Sequence, residues 1–223
     1  MDWSRYKPTL VRADDALRAT LTQAFNGKCG YCERTEAHTI DHFWPRHQHP
    51  DKTWDWDNFI VACSVCQGKK HGKSPVNAHG YRMLNPREEE PLTCLRINPD
   101  DGKIFARPTQ DAREQRGALT ITLLHLDQRS DLDRDRRTIY RYVQRLIVRI
   151  VHPGTSTDEQ AAAWEDLQLL LDPRQHSLAV VQQLFTFPTP EMEPLIAELY
   201  RIIPAAYDFF ARFRRSLAND RKG

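Results

Sequence analysis

Four of the five cysteines form two CxxC pairs, Cys29 and Cys32 in CGYC and Cys63 and Cys66 in CSVC, with thirty residues between the pairs. Thiolates are soft ligands, and two tight knuckles of this spacing suit tetrahedral coordination of a structural zinc ion. A closed four-cysteine site has no open position, so zinc here predicts a stabilised module and no catalysis of its own. Chemistry must come from the residues around the pairs. A hydrolytic site needs a base for the attacking water, a cation to offset charge on the transition state and help for the departing group. His42, with a reference pKa of about 6.5, can be a neutral base at cellular pH. Asp41 precedes it and points to the other side of a strand at that step, which suits separate roles of metal ligand and base. Lys69, Lys70 and Lys73 follow the second pair, where a helix start can hold a scissile phosphate and its neighbours; the alternative is a solvated basic face.

These residues need elements that bring them together. Thr39 to Phe43 alternates as a short strand ending at Pro45, and Asn58 to Ala62 predicts a second strand leading into the CSVC knuckle. If the strands pair and a helix follows Cys66, then Asp41, His42, Asn58 and the first helical residues converge beside the zinc in a ββα-metal arrangement. Upstream, Leu17, Leu21 and Phe25 recur every four positions, which predicts a helix from Ala13 to Phe25, capped by Asp14 or Asp15 and stopped at Asn26-Gly27. Downstream, Leu95–Ile97 and Lys103–Ala106 flank an Asp101-Gly102 turn as a hairpin. The rest reads as helical: about Asp131 to Val151, Ala161 to Leu171, Ser177 to Phe185, and Glu191 to about Leu217 with a kink or split at Pro204. The expected fold is mainly α with a small α+β module, a zinc-stabilised ββα-metal unit embedded in a helical protein. Residues 1–110 would hold the first helix, the module and the hairpin, and residues 111–223 a helical region that docks a partner.

The ordered combination of CGYC, Asp41-His42-Phe43-Trp44-Pro45, Asn58, CSVC and Lys70 resembles the HNH endonuclease superfamily over residues 29 to 75. The resemblance implies that zinc on the cysteines holds the module while a separate divalent ion, Mg²⁺ or Mn²⁺, works at the active site. It implies that Asp41 binds that ion, that Asn58 holds the loop orienting His42, and that the second ligand lies nine residues after Asn58, at Gln67. His71, four residues on, could share that helix face and take the role instead. A narrower resemblance, carried by CGYCER, WDWDNFIVACSVC and ALTITLLHLDQRSDLDRDRR, is to the HNH nuclease subunit of Septu-type anti-phage defence systems and to retron-associated HNH proteins. It implies a helical region after the nuclease and an ABC-type ATPase as partner.

Composition limits the alternatives. The 223 residues suffice for an ordinary core without a disulfide scaffold, and paired cysteines in such a chain fit a reducing compartment. No signal-peptide core and no apolar run of about 18 residues is present, so the expected location is the cytoplasm, with no membrane partner. A net charge of +2 is too small to argue for nucleic acid alone. The leading reading is a metal-dependent endonuclease acting on DNA. RNA shares the phosphodiester chemistry, and a non-catalytic zinc-stabilised adaptor on an ATPase is the reading from another class. Arg137, Arg141, Arg145 and Arg149 form a stripe that could grip nucleic acid or an acidic partner, or be solvated. Cys94 is expected as a buried thiol, His38, His47 and His49 as surface histidines, and Trp54 and Trp56 as packing the loop onto the helical part.

Overall fold

The structure, a computed structural model, describes residues 7–208, 210 and 211, and it is 53% helical with two small antiparallel sheets. Helix α1 spans Lys7–Ala24. It starts six residues earlier than the periodicity implies, so Asp14 and Asp15 lie inside it and do not cap it. The overlooked signal is Pro8, which a first helical turn accepts without losing a hydrogen bond. Asn26 and Gly27 both take positive φ, and Gly27 N–H donates to the Thr22 carbonyl at 2.7 Å, the left-handed stop expected there.

Strand β1 (Thr39–His42) pairs antiparallel with β2 (Phe59–Ala62), with Asp41 opposite Ile60 and His42 opposite Phe59. Helix α2 (Ser64–Lys70) follows at once, and the Cys63 sulfur accepts from Cys66 N–H at its start. The hairpin is β3 (Leu95–Ile97) with β4 (Ile104–Ala106). Helix α3 (Ala112–Leu124) packs closely on it: a Cβ at Gly117 would stand 2.3 Å from the Cys94 carbonyl oxygen, so only glycine allows this approach. Then come α4 (Ser130–Val151), α5 (Thr157–Leu169), α6 (Leu178–Thr186) and α7 (Glu193–Ile202). A capping box between Ser156 and Glu159 starts α5 before the expected Ala161. After α7 the helix breaks at Ile203 and resumes at Pro204, so the proline splits it as expected; Leu217 lies outside the described residues.

Two main cores result. One collects the apolar stripe of α4, Ile139, Val143, Leu146, Ile147 and Ile150, against α5, α6 and α7. The other surrounds the four cysteines with Phe43, Ile60 and Leu84, and with Ile121, Leu124, Leu126 and Leu132 from beyond residue 110. The expected boundary at residues 110 and 111 falls between β4 and α3, and both cores cross it, since Leu92 and Ile97 belong to the helical core. Gln183 of α6 adds a polar tie across it. Its Nε2 donates to the Ile97 carbonyl at 2.6 Å and its Oε1 accepts from Ile97 N–H at 2.7 Å, as a neighbouring strand would.

Candidate metal centre and active-site cleft

The two knuckles close on each other through β2. Gly30 N–H donates to the Val61 carbonyl at 2.9 Å, and a Cβ at Gly30 would meet the Phe25 ring at 2.7 Å, which explains the glycine in CGYC. All four cysteines are buried, and their sulfurs lie within 4.8 Å of one another. A tetrahedron with Zn–S arms of about 2.3 Å has edges of about 3.8 Å, the distance from Cys32 Sγ to Cys63 Sγ. Donor set, burial and spacing therefore fit a zinc ion. Among the described residues this is the one cluster of three or more His, Cys, Asp or Glu that can hold a metal. Cys94 is buried apart from it, its thiol pushed up to about 11 by burial.

The alternation of β1 sends Asp41 and His42 to opposite sides. Asp41 is buried, and its Oδ2 accepts from the Tyr31 hydroxyl at 2.6 Å and lies 3.1 Å from Lys70 Nζ. Lys70 is 0% exposed and also donates to the His42 carbonyl at 2.7 Å. Burial lowers its pKa against the pull of Asp41. A phosphate-binding role for Lys70 is thus corrected: its ammonium is turned inward. Lys70 follows Cys66 by one helical turn and shares its buried face, and that spacing could have revealed it. Lys69 and Lys73 are exposed.

His42 is half-buried beside Phe59, with ring centroids 5.1 Å apart. Its Nε2 lies 3.0 Å from the Thr53 carbonyl. A carbonyl only accepts, so Nε2 carries the hydrogen and Nδ1 is the basic nitrogen. Burial, with Arg46 nearby, lowers the His42 pKa below its ordinary value. Asn58 is buried and fastens the loop that supplies Thr53: its Oδ1 accepts from Trp44 N–H, while Nδ2 donates to the carbonyls of Trp44 and Lys52.

A cleft of about 340 Å³ opens over this face, lined among others by Arg18, His42, Arg46, Thr53, Trp54 and Gln67. Gln67 Nε2 donates to the Ile40 carbonyl at 2.8 Å, leaving Oε1 as its acceptor. Gln67 and His42 are thus brought together. His71 is not: α2 ends at Lys70, and His71 caps it at φ 27°, exposed and outside the cleft lining. Asp41 is likewise absent from the lining. Of the oxygen donors expected for a catalytic divalent ion, Gln67 faces the cleft, whereas the Asp41 carboxylate is turned away from it toward Tyr31 and Lys70.

Trp54 does not pack onto the helical part as expected; it is 71% exposed at the cleft. Trp56 is also exposed, with the Arg87 guanidinium over its ring at 5.1 Å. His38 and His47 are exposed, whereas His49 lies edge-on to Trp44. Sequence reasoning passed over Tyr31, Arg18, Arg46 and Thr53, and Tyr31 alone carried a signal, its place inside CGYC. Far along the chain, Arg141, Arg145 and Arg149 of the stripe are exposed and line an open groove of about 710 Å³ with Met192 and Leu195 of the α7 region.

Comparison with known proteins agrees with this geometry. Residues 29–73 match the family model described as HNH endonuclease. The chain is 30% identical over 105 residues to "Septu protein PtuB" of Bacillus mycoides (strain KBAB4), covering 39% of this chain and 35% of that one. It is 27% identical over 117 residues to "Septu protein PtuB" of Bacillus thuringiensis, covering 50% and 41%. The match thus spans less than half the length of either relative. The segment from Cys29 to Lys73 thus matches an HNH endonuclease domain in sequence, within a larger and mainly helical chain.

Proposed function

We propose that this chain is a metal-dependent nuclease that hydrolyses phosphodiester bonds in DNA, with His42 as the general base. One observation carries the reading: His42 lines an open cleft inside the segment that matches the HNH family, with Nε2 tied to the Thr53 carbonyl and a lowered pKa. At neutral pH the ring is neutral, and Nδ1 takes a proton from water as the water oxygen bonds to phosphorus and the ester oxygen leaves. Arg18 and Arg46 bring positive charge to the same cleft, and exposed Lys69 and Lys73 extend it toward the substrate backbone. Asn58 keeps the Thr53 loop in place and so orients the base. A bound Mg²⁺ or Mn²⁺ ion would supply charge neutralisation at the phosphate; Gln67, in the cleft, would hold it, joined by Asp41 once that carboxylate parts from Lys70. Zinc on Cys29, Cys32, Cys63 and Cys66 maintains the scaffold.

The names of the two relatives support a link to a Septu system; the nuclease-effector role, an ABC-type ATPase as partner and a cytoplasmic location are the rest of our proposal. The basic groove between α4 and α7 is a surface on which such a partner could dock. The adaptor reading has one observation in its favour, the pairing of Asp41 with Lys70. The experiment that separates these readings incubates purified protein with plasmid DNA or total RNA, with and without Mn²⁺, in wild-type and His42→Ala forms. The proposal expects metal-dependent DNA cleavage that falls by roughly 10²–10⁴-fold in the variant. Cleavage of RNA alone moves the substrate, and undiminished cleavage by His42→Ala refutes the assignment of the base.

A further inference from the structure

Among the described residues, one buried side-chain nitrogen or oxygen has no hydrogen-bond partner: Nη1 of Arg129. Arg129 lies in the turn before α4 and is 8% exposed. Its other two nitrogens are satisfied, since Nε and Nη2 donate to the Asp131 carboxylate at 2.9 and 2.7 Å. An unpaired buried donor is costly, and a guanidinium donor more so. The neighbourhood identifies what it lacks. Leu126 and Leu132, on either side of Arg129 in the chain, pack in the same core as all four cysteines. Arg34, two residues past Cys32, reaches back to Asp131 at 3.1 Å and Asp135 at 3.0 Å, so the first knuckle is latched to the start of α4. Cys32 and Cys66 are near enough to act on the Arg129 charge, and Cys32 on that of Arg136.

Four thiolates around one Zn²⁺ leave a net charge of −2, and here that charge would be buried. Buried charge needs opposite charge or hydrogen-bond donors nearby. The other buried cations of the module, Lys28 and Lys70, pair with Glu33 and Asp41 as Arg129 pairs with Asp131, but only Arg129 keeps a buried nitrogen without a partner. We propose that Arg129 is part of the metal centre, with its guanidinium, through Nη1, offsetting the negative charge that the four thiolates leave on bound zinc. The inference rests on the reading of the tetrad as a zinc site. It makes the start of α4 a component of a centre whose ligands all lie between residues 29 and 66.

The test uses the full chain loaded with Zn²⁺ or with Co²⁺, whose thiolate charge-transfer absorption reports on the sulfurs directly. Wild-type protein must show that absorption; its absence overturns both the zinc reading and the inference. Arg129→Gln is expected to release zinc to a chelator about 10–100-fold faster, the usual effect of losing a residue that supports metal ligands, and to shift the cobalt band to longer wavelength. Arg129→Lys, which keeps the charge, should recover much of both. Asp131→Asn tells a role at the metal from a plain ion pair: it breaks the pair yet leaves the arginine charge, so the cobalt band should stay where it is. If Arg129→Gln leaves band and release rate unchanged, or if it and Asp131→Asn shift both alike, the inference is overturned. A fall in melting temperature with an unmoved cobalt band in both Arg129 variants also overturns it.

Discussion

Replacing Lys70 by methionine tests the buried network that underlies β1. The side chain is fully enclosed, its ammonium lies 3.1 Å from Asp41 and it donates to the His42 carbonyl. Methionine fills similar space but leaves the Asp41 carboxylate with the Tyr31 hydroxyl and no cation. Removing one partner of a buried pair costs about 3–5 kcal/mol, because the remaining charge stays uncompensated. For a protein of this size that is a fall in melting temperature of roughly 6–20 °C. Thermal unfolding by circular dichroism gives the number. The double variant Lys70→Met with Asp41→Leu should recover most of the loss, since no buried charge is then left over. A divalent ion that uses Asp41 could also replace the missing ammonium, so Mg²⁺ should stabilise Lys70→Met more than wild type. A single-variant loss below about 1 kcal/mol would mean that water reaches Asp41 freely and that the network does not hold β1.

Three other outcomes follow from the cleft and the cores. The lowered His42 pKa places the acid limb of the cleavage rate below pH 6.5, the ordinary value, because the base must lose its proton to act. The same shift adds stability that is complete above about pH 6.5 and lost as pH falls toward the folded pKa, since the unfolded chain takes up the proton first; His42→Ala should flatten that part of the stability profile. Gln67→Ala should raise the Mg²⁺ concentration for half-maximal cleavage while His71→Ala should not, and the reverse result in a metal titration would move the ligand to His71. Ending the chain after Pro108 removes Ile121, Leu124, Leu126 and Leu132 from the cysteine core, a loss of roughly 6–12 kcal/mol of apolar burial; the fragment should fail to give a cooperative thermal transition even with zinc present.

The parts of the fold that are legible in the sequence are those with a short period or a fixed spacing. Strands β1 and β2, the β3–β4 hairpin and α4 are all within a residue or two of expectation, because alternation and the three-to-four residue stripe reflect which side faces the core. The knuckles were legible because metal coordination constrains both residue type and interval. What was not legible depends on partners distant in the chain. Lys70 belongs to a run of basic residues that reads as facing phosphate or solvent, and its enclosure follows from how α2 packs under β1. Gln67 and His71 have helical spacing, but the helix ends between them. Trp54 looked like packing material by composition, and its exposure depends on where the loop fastened by Asn58 comes to rest. Arg129 is one arginine among many until Leu126 and Leu132 bury it beside the cysteines.

The amide of Gln183 has a consequence for how copies of this protein meet one another. An outer strand with open N–H and C=O groups invites a strand from a second molecule, and that invitation is a common route to aggregation. At Ile97 both groups are already taken by Gln183, and the Leu95 carbonyl accepts from the side chain of Arg96. The rim of β3 is therefore blocked by side chains, with no further strand required. Gln183→Leu would keep the bulk of that side chain but leave the buried N–H and C=O of Ile97 without partners, so it should lower the melting temperature as well as the solubility during refolding at high protein concentration.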